Sequence, residues 1–522
     1  MLPGGGPQPA AQCLTARRRR LVTALVRAAN GAAVTGEAMI LGGVLVAAAL
    51  LDMLVRPRPL PARSIAGLWL GGWLVAAAFG LFLALSGHAG LAAGLTLAVV
   101  AFLALASNAK RAMLGEPLVF ADLALIGAIF RHPQFYISAV RPWQQAVVVA
   151  AAAVLALLFA ILFVWAPAPH LAGLTLLATG LVALDLTLRL APAPRLAPAA
   201  NGEADTLRHG LLATLLLHWW RWRAMPDPAP RRPLTATAPG APELVVIIQC
   251  ESFADPAVLL DDPTLALPAL SAAQRQAWQW GRLQVSGFGA YTMRAEYGVL
   301  FGREEEALGL RRFNPYLTAV REGSWALPAR LAPAGWRSVF FHPHDLRFYN
   351  RDRIMPAAGF AQLVGPDGFA PPAAGQGRYV TDANMADTIL DLAGKAEGPT
   401  LLHAVTIENH GPWSGAGARA PAELVAGYLR LLRHGDAMLA RLQDGLARLG
   451  RPALLVFYGD HRPSIPGATA PGGDRDTPYV MLRFDATGAP VSRPDGPVDL
   501  TPAALHHAVL DVLIGASADQ GA

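Results

Sequence analysis

Five apolar runs, at residues 37–55, 66–87, 89–107, 143–166 and 170–190, constrain this chain more than any other feature. As helices rising ~1.5 Å per residue, runs of this length reach across a ~30 Å hydrocarbon layer. Buried helices of a soluble protein explain them poorly, because all five crowd into the first 190 residues. Composition agrees. Apolar residues make up 53% of the 522 and charged residues 15%, against roughly 25% charged in average soluble chains.

A single tight basic run, Arg17–Arg20, flanks the first apolar segment. It reads as a cytoplasmic membrane flank and not as a nucleic-acid patch, since the rest of the +6 net charge is spread along the chain. The basic start imitates a signal peptide, but the later apolar runs make the first a retained anchor. Five crossings then put the C-terminal half outside the cytoplasm. The loops 56–65 (Arg56, Arg58, Arg63) and 108–142 (Lys110, Arg111, Arg131, Arg141) would also lie outside. The positive-inside rule alone does not give that arrangement; helix parity carries it. The two cysteines, Cys13 and Cys250, are not expected to pair.

In residues 206–225 the apolar part, Leu211–Trp220, is too short to span. Trp219, Trp220 and Trp222 alternate with Arg221 and Arg223, which suits a helix lying in the membrane interface. A Pro- and Ala-rich linker, 226–242, follows. The expected organisation is a membrane region 1–190, an interfacial helix and linker 191–242, and a catalytic domain 243–522.

From 243 the pattern changes. Short β-rich runs at 243–249, 337–342, 400–407 and 453–459 alternate with helix-like stretches such as 421–449. This predicts an α/β domain with a doubly wound, mainly parallel sheet. Each run ends in polar residues: Glu251; His342 and His344; Glu408, Asn409 and His410; Asp460 and His461. Ligands of open α/β sheets bind beyond the carboxyl ends of strands, so these groups can converge on one cation. Oxygen and imidazole donors suit manganese, zinc or magnesium. Any one of the carboxylates, taken alone, is equally at home as a helix cap. Thr292 follows Gly287 and Gly289 and opens a helix-like stretch. It is either a metal-activated nucleophile or simply an N-cap with Glu296 nearby.

Five ordered motifs resemble the lipoteichoic acid synthase and phosphoglycerol transferase group, which is sulfatase-like and of the alkaline phosphatase superfamily. They are QCESF (249–253), TMRAEYGVLFG (292–302), FHPHDLRFYNRDRIMPAAGF (341–360), TIENHGPW (406–413) and YGDHRP (458–463); LGEPLVFADLALI (114–126) resembles the segment between the third and fourth helices of that family. The resemblance implies five membrane helices followed by an extracytoplasmic sulfatase-like domain at the bacterial inner membrane. It implies one divalent metal, usually manganese, on Glu251, Thr292, Asp460 and His461, with Thr292 as nucleophile. His410 would assist in catalysis. His342, Arg351, Tyr349 and His410 would meet the substrate, Tyr349 standing where the synthases usually carry Trp. The implied donor is phosphatidylglycerol and the acceptor a glycan or polyglycerolphosphate chain. Three rivals remain. A phosphoethanolamine transferase shares the plan, but usually with several disulfides. A sulfuric ester hydrolase needs a Cys/Ser-x-Pro-x-Arg context that residues 290–296 lack. A degenerate scaffold protein would have no reason to keep every ligand.

Overall fold

The computed structural model describes residues 36–58, 63–123, 142–190, 193–198, 201–373, 375–413, 420–493 and 495–515. Cys13, Arg17–Arg20, Arg131, Arg141 and the end of the 114–126 motif lie outside the described residues. The chain divides into two compact units, residues 1–109 with 117–220, and residues 110–116 with 221–522.

Among the described residues of the first unit four helices are long and apolar enough to cross a membrane: Gly36–Met53, Ile65–Ser86, Ala89–Leu114 and Pro167–Leu190. A further helix, Pro142–Leu162, occupies the fourth expected position, but its fully described apolar part, Val149–Leu162, is shorter. Of the five expected spans, four are thus met among the described residues. Ser64 starts the second of these helices by accepting a hydrogen bond from Gly67 N. That helix packs on Pro167–Leu190 through glycine: a Cβ on Gly80 would sit 2.6 Å from Leu177 N and 2.8 Å from Gly173 O. Small residues at such crossings let backbones meet.

Arg63, in the loop expected outside the cytoplasm, is buried. It pairs with Asp52 at 3.0 Å and donates to the Thr206 carbonyl at 2.7 Å. One arginine of the 56–65 loop is thus consumed internally, which reduces the apparent charge conflict there. The 206–225 stretch forms two helices, Gly202–His209 and Leu211–Ala224, separated at Gly210. The second has 14 residues, about 21 Å at ~1.5 Å per residue, short of a ~30 Å layer.

The second unit is built on an eight-stranded sheet in the order β2-β7-β6-β1-β5-β3-β4, with β8 paired to β7. The strands are β1 Leu244–Cys250, β2 Gln279–Leu283, β3 Arg337–Phe341, β4 Gln362–Val364, β5 Thr400–Val405, β6 Ala453–Gly459, β7 Thr477–Phe484 and β8 Pro490–Val491. The run β6-β1-β5-β3-β4 is parallel; β2, β7 and β8 add an antiparallel edge. The central strands are apolar without alternation because both faces are covered. In β1, Leu244, Val246 and Ile248 face one core, shared with the Pro421–Arg448 helix. Val245 and Ile247 face the other, shared with the Pro502–Ile514 helix. This sandwich leaves only the strand ends for chemistry.

Candidate active site

β1 and β6 are adjacent and in register up to Cys250 opposite Gly459. The next residues, Glu251 and Asp460, therefore emerge side by side, one strand spacing (~4.8 Å) apart. With His461 they form a buried group whose ligand atoms all lie within 4.8 Å of one another. Gly459 is required at the crossing: a Cβ there would stand 1.8 Å from the Phe253 carbonyl oxygen.

Local hydrogen bonds aim each donor. Asp460 Oδ1 accepts from Ser252 N at 2.8 Å and from its neighbour His461 N at 2.9 Å. Its Oδ2 is buried without a hydrogen-bond partner of good geometry among the described residues, although His461 Nε2 is 3.4 Å away. Glu251 Oε1 accepts from Ser252 Oγ at 2.8 Å and lies 3.6 Å from His461 Nε2. His461 Nδ1 is 3.2 Å from the Arg462 carbonyl; donating there, it leaves the Nε2 lone pair facing the carboxylates. Burial pushes the Asp460 carboxyl up to about 7, opposed by His461, with Glu251 pushing it further up and Thr292 helping to hold it down. Two buried carboxylates, one of them with the orphaned Asp460 Oδ2, and a buried imidazole fit a divalent cation well.

Thr292 is the first residue of the helix Thr292–Phe301, and Tyr291 holds the N-cap position. Thr292 is thus not the N-cap, and its side chain interacts with Asp460. Gln249, on β1, donates to its carbonyl at 3.2 Å. Among the described residues, five non-glycine residues have positive φ, and four adjoin this site: Ser252, Tyr291, Tyr349 and Asn350. Backbone strain of this kind clusters where function over-determines geometry.

The β3 end supplies a second wall. His342 Nδ1 contacts the Val405 carbonyl at 3.0 Å, and its Nε2 is 3.2 Å from Arg351 Nη1. Burial, then Arg351, hold His342 well below the usual imidazole range, so it is neutral. Arg351 gives Nε and Nη2 to Glu296 at 3.1 and 2.6 Å. That narrows the substrate contact expected of Arg351 to Nη1. Glu296, in sequence only a possible capping partner of Thr292, lies one helical turn beyond it, and no local pattern announces its partner 55 positions away. Tyr349 lies under the Arg351 guanidinium at 5.3 Å. His410 is exposed, its Nδ1 2.8 Å from the Gly411 carbonyl, yet near enough to lower both His342 and His344. Glu408 does not join the metal group. It accepts from Asp382 N at 2.7 Å, at the start of the helix Asp382–Gly394, and pairs with His434 at 2.8 Å. Here the capping role expected of an isolated strand-end carboxylate is the one observed.

Residues 243–510 match the family model described as Sulfatase. Over 466 residues the chain is 30% identical to the capsular polysaccharide biosynthesis protein RkpI of Rhizobium meliloti (strain 1021), covering 84% of this chain and 86% of that protein. A putative cyclic β-1,2-glucan modification protein of the same organism is 26% identical over 253 residues, 46% of this chain and 39% of the other. Among solved structures, the integral membrane lipooligosaccharide phosphoethanolamine transferase A of Neisseria meningitidis superposes with a TM-score of 0.51 at 12% identity, covering 90% of this chain and 95% of that one. That likeness establishes a shared fold.

Proposed function

The chain belongs to the sulfatase family, and on that premise we propose that it is a membrane-anchored phosphoglycerol transferase. In this reading it moves glycerophosphate from phosphatidylglycerol to a glycan acceptor through Thr292. The observation that carries the proposal is the placement of Thr292 at a helix start beside a buried Glu251–Asp460–His461 group. Family membership does not imply sulfate chemistry, because residues 290–296 read AYTMRAE and lack the cysteine or serine context that sulfatases convert.

Glu251, Asp460, His461 and the Thr292 hydroxyl would hold one divalent cation, with manganese favoured by the family resemblance and zinc or magnesium compatible with the donors. When bound, it supplies Lewis acidity that lowers the pKa of the threonine hydroxyl and offsets charge on the phosphoryl oxygens. Thr292 Oγ, entering and later leaving as the alkoxide, forms a bond to phosphorus and the bond to the diacylglycerol oxygen breaks. His410 gives its Nε2 proton to that oxygen, its Nδ1 being held by the Gly411 carbonyl. An acceptor hydroxyl then attacks phosphorus, loses its proton to His410 Nε2, and frees Thr292. Arg351 Nη1 and His342 wall the phosphoryl site, and Tyr349 borders the glycerol side. One relative is named for capsular polysaccharide biosynthesis and the other for putative cyclic β-1,2-glucan modification, which favours a glycan over a polyglycerolphosphate chain as acceptor.

We place the protein in the bacterial inner membrane with five crossings. Pro142–Leu162 supplies the fifth, Leu211–Ala224 lies in the interface, and the domain from 243 faces the extracytoplasmic side. A lipid donor suits an anchored enzyme. The fold shared with a phosphoethanolamine transferase makes that donor the second reading. One experiment separates them: full-length protein in vesicles containing head-group-labelled phosphatidylglycerol or phosphatidylethanolamine, with product and Thr292 peptide identified by mass. Transfer of label only from phosphatidylethanolamine, or no label on the Thr292 peptide during turnover, would sink the proposal.

A further inference from the structure

Outside the matched domain, the segment Lys110–Glu116 folds as part of the catalytic unit. Met113 O accepts a hydrogen bond from Ser464 Oγ at 3.0 Å, and Leu114 packs against the core that contains Tyr291, Met293 and Tyr297. Glu116 reaches Arg294, 178 positions along the chain, with both carboxylate oxygens, at 2.8 and 3.3 Å. The side chains are 15% and 6% exposed. Burial raises the Glu116 carboxyl, but Arg294 and Lys110 overcome this and hold it at about 2, so the pair is charged. Arg294 also donates to the Phe313 carbonyl.

This pair bears on the nucleophile through one ring. The Arg294 guanidinium lies 3.8 Å from the centroid of Tyr291, and Lys110 Nζ lies 5.5 Å from it. Tyr291 has φ 78 and ψ 31, a left-handed conformation that an aromatic L-residue adopts only under constraint. Thr292 is the next residue, so the dihedral angles of Tyr291 set where its hydroxyl points. A cation over a ring face is attracted to it, and Glu116 fixes that cation by a bidentate bond.

We infer that Glu116 is a positioning residue for catalysis, clamping Arg294 onto Tyr291 and so aiming Thr292 at the phosphoryl group. The inference rests on the reading of Thr292 as nucleophile. It is tested on the full-length protein with Glu116→Gln and Glu116→Asp, measuring kcat and KM on phosphatidylglycerol vesicles and amide exchange in peptides spanning 288–296 without lipid. A misplacement of about 1 Å costs about 10²-fold, so Glu116→Gln should lower kcat by about that factor with KM nearly unchanged. Exchange at 290–294 should accelerate, and Glu116→Asp should recover part of both. Undiminished kcat in Glu116→Gln, or a lowered kcat with unaltered exchange, overturns the inference. If Glu116→Gln does not fold, Glu116→Asp decides by the same two readouts. If the wild-type protein leaves phosphatidylglycerol untouched, the proposed function fails, and exchange still decides whether the clamp exists.

Discussion

Arg351 is the most consequential side chain to remove. Its guanidinium and the Glu296 carboxylate are 1% and 0% exposed and 2.6 Å apart. In Arg351→Met a side chain of comparable length fills the space, but Glu296 is left as a buried carboxylate without its cation. Breaking a buried pair by deleting one member costs roughly 3–5 kcal/mol. For large domains each kcal/mol moves the melting temperature by about 2 °C, so the catalytic unit should melt about 6–10 °C lower. The assay heats full-length protein in detergent and follows proteolytic release of peptides from β3 and the Thr292–Phe301 helix. The double variant Arg351→Met/Glu296→Leu replaces both charges with apolar groups and should regain most of the loss. Its turnover should stay low, because the helix bearing Thr292 has lost the anchor that ties it to the β3 end. A single variant melting within about 2 °C of the parent, or a double variant less stable than the single, would refute the reasoning.

Thr292→Ala should abolish turnover while Glu251, Asp460 and His461 still bind manganese, measured by calorimetry; Thr292→Ser should keep some activity. His410→Ala should slow turnover by roughly 10²–10⁴-fold, the usual contribution of a positioned acid or base, read from initial rates. Gly459→Ala puts a methyl 1.8 Å from the Phe253 carbonyl, so the strand end must shift; metal binding should be lost, as titration will report. Arg294 and Lys110 hold the Glu116 carboxyl well below the ordinary glutamate range, at about 2. Its stabilising contribution is therefore present above pH ~4.5 and is lost as pH falls toward 2, by up to about 3 kcal/mol. Glu116→Gln should flatten that part of the acid-unfolding curve. A C-terminal reporter active only in the cytoplasm should be silent if the domain from 243 is outside.

The convergence of Glu251, Asp460 and His461 was legible because each directly follows a strand that reads as a continuous apolar run. β1, β3, β5 and β6 are central and parallel, and burial on both faces writes itself into sequence as unbroken Val, Leu, Ile and Phe. The edge was not legible. β7 carries Pro478 inside its register, paired opposite Arg282, and a proline argues against a strand with neighbours on both sides. β2 reads QWGRL, with a glycine and an arginine in five residues. The Glu296–Arg351 and Glu116–Arg294 pairs were invisible for another reason: they join residues 55 and 178 positions apart, and charge pairing at such separation leaves no periodic trace.

The left-handed residues Ser252, Tyr291, Tyr349 and Asn350 have an evolutionary consequence. Donors aimed by main-chain dihedrals keep their direction as long as the few side chains that clamp those dihedrals, such as Arg294 over Tyr291, are kept. On the proposed reading, surface loops around the Thr292 site are then free to drift and recruit new acceptors while the transfer chemistry is inherited intact. A lineage built this way diversifies at its rim, and random libraries should yield altered acceptor choice from loop positions long before they yield it from the residues that bend the chain.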